Sequence, residues 1–206
     1  PPARVGTSIV DMGTGMWAAL GILAAIMERE HTGRGTHVTT ALYDTALAWI
    51  PYQIANYLAS GEVPLPQGSG TAMIAPSEAL PTADGHLLIA AASDARFARA
   101  CAALGIPEAA QDPRFADNPG RVRNRKALFD LLADVTRRET ATRLLERLRQ
   151  AGVPAAPIQT IDRVVTDPQT EASGMLAPAP HPRIPDFRTV ALPIQWDGER
   201  PAVRRV

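Results

Sequence analysis

The 206 residues predict an α/β protein built in two parts. Three observations carry that reading. A helical pattern near the N-terminus leads into a short β-branched run and then a second helix. A Gly- and Pro-rich stretch over residues 61–76 breaks all periodicity. Beyond it, a hairpin signature is followed by helices and further short strands.

Gly13-Thr14-Gly15 opens the first helix, in which Met16, Leu20, Leu23 and Met27 recur at spacings of three and four. The remaining positions are also apolar or small, so this helix is expected to be buried on most sides. Arg29, His31 and Gly33 end it, with cations at the negative end of the dipole and glycine at the left-handed cap. Thr36 to Leu42 reads as a strand. Asp44 caps a helix running to about Leu58, kinked at Pro51 and ended by Ser60-Gly61.

After the 61–76 linker, Leu80–Ala83 and His86–Ala91 flank an Asp84-Gly85 turn. Helices are predicted over Asp94–Leu104, about Arg121–Arg138, and Ala141–Ala151 with Thr140 as cap and Gly152 as stop. Ala155–Gln159 reads as a strand, and a short helix from Asp162 ends near Asp167-Pro168. From Gly174 the chain is Pro-punctuated and extended, with Thr189–Trp196 the last strand.

Composition narrows the function. A net charge of +0 argues against a nucleic-acid binder and against an acidic disordered chain. One cysteine, Cys101, excludes an internal disulfide and a cysteine metal cluster, and fits a reducing cytoplasm. The longest apolar run, Met16–Met27, falls short of the roughly 20 residues that cross a bilayer, so no membrane span is expected.

Among single residues, Asp11 stands just before the apolar helix. Capping and chemistry are both open to it on local pattern. His31, His37, His86 and His181 lack metal-ligand spacing, so no metal is expected. Cys101 reads as a small core residue, and the three tryptophans as core or interface aromatics. Arg121, Arg123, Arg125 and Lys126 read as a solvated helix start, with contact to ligand phosphates as the alternative.

Arg4–Val38, R-V-G-T-S-I-V-D-M-G-T-G-M-W-A-A-L-G-I-L-A-A-I-M-E-R-E-H-T-G-R-G-T-H-V, resembles the signature of the family III CoA-transferases. That superfamily includes formyl-CoA and carnitine CoA-transferases and α-methylacyl-CoA racemases. Pro81–Ala90, Asp112–Arg125, Ala151–Ile158 and Asp167–Gln169 are family-like in the same order. The resemblance implies a Rossmann-like large domain ending over residues 1–60, a small α+β domain over 61–160, and a return segment over 161–206. It implies an acyl-CoA:carboxylate CoA-transferase acting through an anhydride on Asp11, with coenzyme A as the carrier in its acyl-CoA substrate. Gly68, Ser69 and Gly70 then match a Gly-containing loop that covers the acyl site. Thr14-Gly15-Met16 looks more like the transferases than the racemases, in which the matching aspartate shuttles a proton. A third alternative is a non-catalytic fragment or interaction module. Members are about twice as long and form interlocked homodimers, which implies an incomplete chain at both ends. Its first helix would then leave an apolar face uncovered, favouring self-association or partner binding.

Overall fold

A computed structural model describes residues 5–203. Arg4, where the signature segment begins, and residues 204–206 lie outside them. The chain forms two compact units, one ending at Pro66 and one starting at Gln67.

The first unit is helical. α1 spans Ile9–Thr32, α2 Leu42–Ala48 and α3 Pro51–Ser60. α1 begins four residues earlier than Gly13, because the turn Gly13-Thr14-Gly15 is absorbed into the helix. It ends as expected. Gly33 adopts φ 67°, and its N–H donates to Arg29 O at 2.8 Å. Burial is the first correction: of its 24 residues only Gly13 is buried, while Met16, Leu20, Leu23 and Met27 are exposed. The second concerns length. The helix outruns the twelve-residue apolar run and is long and apolar enough to cross a bilayer by length and composition, a test that core helices of globular proteins also pass.

Thr36–Leu42 is not a strand. Residues 34–41 form no regular element and pair with no ladder among the described residues, and Val38 lies over Gly21 of α1. α2 starts at Leu42, so Asp44 sits in its first turn rather than at its cap. Pro51 does not kink a helix but starts α3, where its missing N–H costs nothing. The first unit therefore consists of helices and one connecting segment.

The second unit has its own core. β1 (Ser77–Thr82) pairs antiparallel with β2 (Gly85–Ala90), and β2 with β3 (Ala155–Pro157), placing Leu80 opposite Leu87 and Leu88 opposite Ala156. Alternation puts Leu80, Leu87 and Ile89 inward. On that face pack α4 (Asp94–Leu104), a 3-10 turn over Pro107–Gln111, α5 (Asn118–Arg123), α6 (Arg125–Thr136) and α7 (Ala141–Gln150). Phe97, Cys101, Phe115, Leu128, Leu132, Leu144 and Leu148 are all at most 2% exposed. Each large apolar side chain so buried stabilises by about 1.5–3 kcal/mol.

The predicted helix over 121–138 is two helices. Asp117 accepts from Gly120 N–H at 2.6 Å, which starts α5 early, and the chain breaks at Asn124. α8 (Ile161–Val165) ends as expected, but Asp167-Pro168 then starts α9 (Pro168–Ala172), with Asp167 accepting from Gln169 N–H at 2.8 Å. β4 (Leu176–Pro178), unforeseen, pairs with β5 (Arg188–Val190), which ends well before Trp196.

Candidate active site

Asp11 is the third residue of α1. Ser8 occupies the cap position with no side-chain cap bond, and the first full helical bond runs from Met12 N–H to Ser8 O at 3.0 Å. Asp11 is thus not the cap, which removes the simplest structural explanation for it. Its carboxylate is exposed and bonds to no other described residue. The amides of Val10 and Asp11 precede the helical ladder, and the positive end of the dipole favours negative charge there.

The turn around Asp11 is braced against α2. Thr14 Oγ1 lies 2.8 Å from Val10 O and 2.9 Å from Thr45 Oγ1, so its single proton serves one of them at a time. Thr45 is buried and lies 3.1 Å from Ala41 O. A Cβ on Gly13 would stand 2.8 Å from Trp49 Cζ2 and 3.1 Å from Thr45 Cγ2. Gly13 therefore makes room for Trp49, not for a substrate. Gly15, with nothing within 4 Å of a Cβ, remains open. Trp17 stacks obliquely near Trp49 at 6.3 Å between centroids, and with Thr40, Asp44 and Thr45 it lines a hollow of about 240 Å³.

Gly68, Ser69 and Gly70 belong to the second unit, where they are less free than a linker. Ala79 N–H of β1 donates to Ser69 Oγ at 3.0 Å, and Gly70 N–H to Gln67 O at 3.0 Å. Gly68 has φ 62°, which glycine adopts without strain. The stretch that follows is held by three side chains that sequence reasoning missed. Asn118 Oδ1 accepts from Ala75 N–H at 3.1 Å while its Nδ2 donates to Met73 O at 2.8 Å. Arg121 Nε donates to Ala75 O at 2.7 Å. Arg125 Nη2 donates to Ile74 O at 2.8 Å and to Thr71 O.

Only half of the basic cluster is a solvated helix start: Arg123 and Lys126 are exposed, whereas Arg121 and Arg125 turn inward. Arg121 is fully buried, donating also to Phe115 O and Asp94 and lying over the Phe97 ring at 4.6 Å. Arg125 is 15% exposed and faces Glu78 at 3.6 Å. Burial pushes the Glu78 carboxyl above its ordinary range, and the Arg125 charge opposes that shift. The i, i+4 spacing of Arg121 and Arg125 behind Asp117-Asn118 was the available signal.

Cys101 is buried, and desolvation pushes its thiol up to about 11, as an inert core residue requires. No three His, Cys, Asp or Glu side chains among the described residues group to hold a metal. His181 instead accepts backbone N–H bonds from Arg183 and Ile184.

The sequence profile described as CoA-transferase family III matches residues 1–206. The succinate–glutarate CoA-transferase of Agrobacterium fabrum is 35% identical over 84% of this chain and 44% of its own length. The succinyl-CoA:mesaconate CoA-transferase of Haloarcula marismortui is 35% identical over 93% of this chain and 48% of its own. In structure, a CAIB/BAIF family protein from Brucella suis superposes with a TM-score of 0.81 at 36% identity, covering 99% of this chain and 53% of that one. A Mycobacterium tuberculosis protein gives 0.83 at 25% identity, covering 97% and 52%. The chain belongs to CoA-transferase family III and spans about half the length of the curated relatives it matches.

Proposed function

We propose that the protein carrying this chain moves coenzyme A from an acyl-CoA to a carboxylic acid, with Asp11 as the covalent acyl carrier. One observation carries the reading: within a family-matched segment, Asp11 presents an exposed carboxylate at a helix start that it does not cap. Relatives named for succinyl-CoA, glutarate, mesaconate and D-citramalate point to a succinyl donor and a dicarboxylate acceptor.

The chemistry follows from the carboxylate. An Asp11 oxygen attacks the thioester carbonyl, the C–S bond breaks, and CoA thiolate leaves behind an acyl-aspartyl anhydride. The developing oxyanion meets the free amides at the start of α1. Thiolate attack on the aspartyl carbonyl releases the donor acid and leaves an aspartyl thioester. The acceptor carboxylate displaces the thiolate to form a second anhydride, and the thiolate then takes the new acyl group and frees Asp11. Water must be kept from both anhydrides. In this reading the Gly68-Ser69-Gly70 loop supplies part of that cover.

The same reading assigns residues 1–60 to the end of a Rossmann-like large domain, 61–160 to a small domain and 161–206 to a return segment. It places them in an interlocked homodimer working in the cytoplasm. The test is isotopic, on full-length protein. Exchange of CoA between two acids supports transfer, whereas loss of α-deuterium from a 2-methylacyl-CoA without exchange supports racemisation instead. Asp11→Ala lowers transfer at least about a thousandfold while CoA affinity stays within a few-fold; undiminished transfer would refute the assignment.

A further inference from the structure

The grip on the segment between Gln67 and Pro76 is graded. Ala75 and Pro76 are buried, Ala75 fixed by Asn118 and Arg121 and Pro76 through its carbonyl by Ala91 N–H. Thr71, Met73 and Ile74 are held through their carbonyls by Asn118 and Arg125. Gly68 and Ser69 are exposed, and Ala79 N–H donating to Ser69 Oγ ties this tip to β1. A firm base thus carries a looser tip, and Arg125 stands where one gives way to the other.

Arg125 is also incompletely satisfied. Its Nη1 is buried without a hydrogen-bond partner, as is Glu78 Oε1 at 3.6 Å. A buried charge pair normally closes that gap, since each unmade bond costs free energy. What admits Nη1 to this place is Gly70, whose Cβ would stand only 2.7 Å from it and 3.4 Å from Glu78 Oε2. Arg121, by contrast, is fully buried with partners at both ends of its guanidinium and is a fixed strut.

We propose that Arg125 is a positioning residue for the transfer reaction: through Gly70 and the carbonyls of Thr71 and Ile74 it sets the conformation of the Gly68-Ser69-Gly70 tip, with Glu78 setting Arg125 in turn. The inference rests on the transferase reading, in which that tip covers the acyl group. It predicts that a misplaced tip admits water. Water then adds to the acyl carbonyl of the anhydride, the Asp11 carboxylate departs, and the acyl group leaves as free acid with one proton released to solvent.

The experiment measures hydrolysis against transfer in the full-length protein for wild type, Arg125→Lys, Arg125→Gln, Gly70→Ala and the Gly70→Ala/Arg125→Gln double variant. Arg125→Gln raises the ratio of hydrolysis to transfer about tenfold, chiefly through a lower kcat for transfer, and Arg125→Lys restores part of it. Gly70→Ala, which drives the guanidinium aside, shifts the ratio the same way, and the double variant is no worse than the worse single one. A purely structural arginine would change melting temperature without moving that ratio. An unchanged ratio in Arg125→Gln, or strictly additive effects in the double variant, overturns the proposal. If Arg125→Gln does not fold, an unchanged ratio in Gly70→Ala overturns it alone. Wild-type protein that transfers no CoA would bring down the transferase reading and this inference with it.

Discussion

The two units have similar apolar side chains and opposite burial. In the second, Leu80, Leu87, Phe97, Leu128, Leu144 and Leu148 are hidden behind a three-stranded sheet and its helices. In the first, Met16, Leu20, Ile22, Leu23 and Met27 of α1 face solvent, and no buried apolar side chain precedes Ala75 among the described residues. Periodicity tells which positions want to be covered, while coverage depends on how much chain is there to do it. A helix apolar on every side belongs inside a larger body, and this chain spans about half of its relatives. The braces that remain, Thr14 on Thr45 and Gly13 under Trp49, fix α1 to α2 without hiding it.

The contrast can be broken by mutation, beginning with the largest expected effect on stability. Leu148→Ala in the 206-residue chain should cost about 2–5 kcal/mol, because a fully buried side chain leaves a cavity. Leu23→Ala, at 59% exposure, should cost no more than about 0.5 kcal/mol. Denaturant melts of the two variants check this. Equal losses would show that the α1 face is covered in solution and would end the comparison.

A smaller effect sharpens it through pH. Because burial raises the Glu78 carboxyl, the folded chain binds this proton more readily than the unfolded one. The stabilisation from that group is complete below the unfolded value of 4.5 and is lost as pH rises through the higher folded value. Glu78→Gln should therefore flatten the fall in melting temperature across that interval. The signature should come from the second unit alone, since Glu78 belongs to it. A variant whose melting profile keeps the wild-type slope would contradict it.

How much was legible follows the range of the interactions. The Asp84-Gly85 hairpin and the Gly33 and Gly152 helix stops are local, and both stop glycines take a positive φ, 67° and 65°. Thr36–Leu42 failed as a strand because β-branched residues fit an extended chain but cannot supply a partner. Arg121 was misread because the R-V-R-N-R-K run looks like surface. Two of its partners, Ala75 and Asp94, lie 46 and 27 residues away. The same distance hid the clamp on residues 71–75. Asp11 could be found only through resemblance, since local pattern favoured capping, and the structure gives the cap position to Ser8.

The most direct test is to follow an oxygen of the acceptor acid onto the carrier carboxylate. Trypsin should release residues 5–29 as one peptide whose single aspartate is Asp11. Full-length protein turns over acyl-CoA with an acceptor acid whose carboxylate carries heavy oxygen, which the second anhydride leaves on the carrier, and is then digested and mapped by mass spectrometry. The label should sit on Asp11 and vanish from Asp11→Ala. Sustained transfer of CoA with no label ever reaching that side chain would contradict the account.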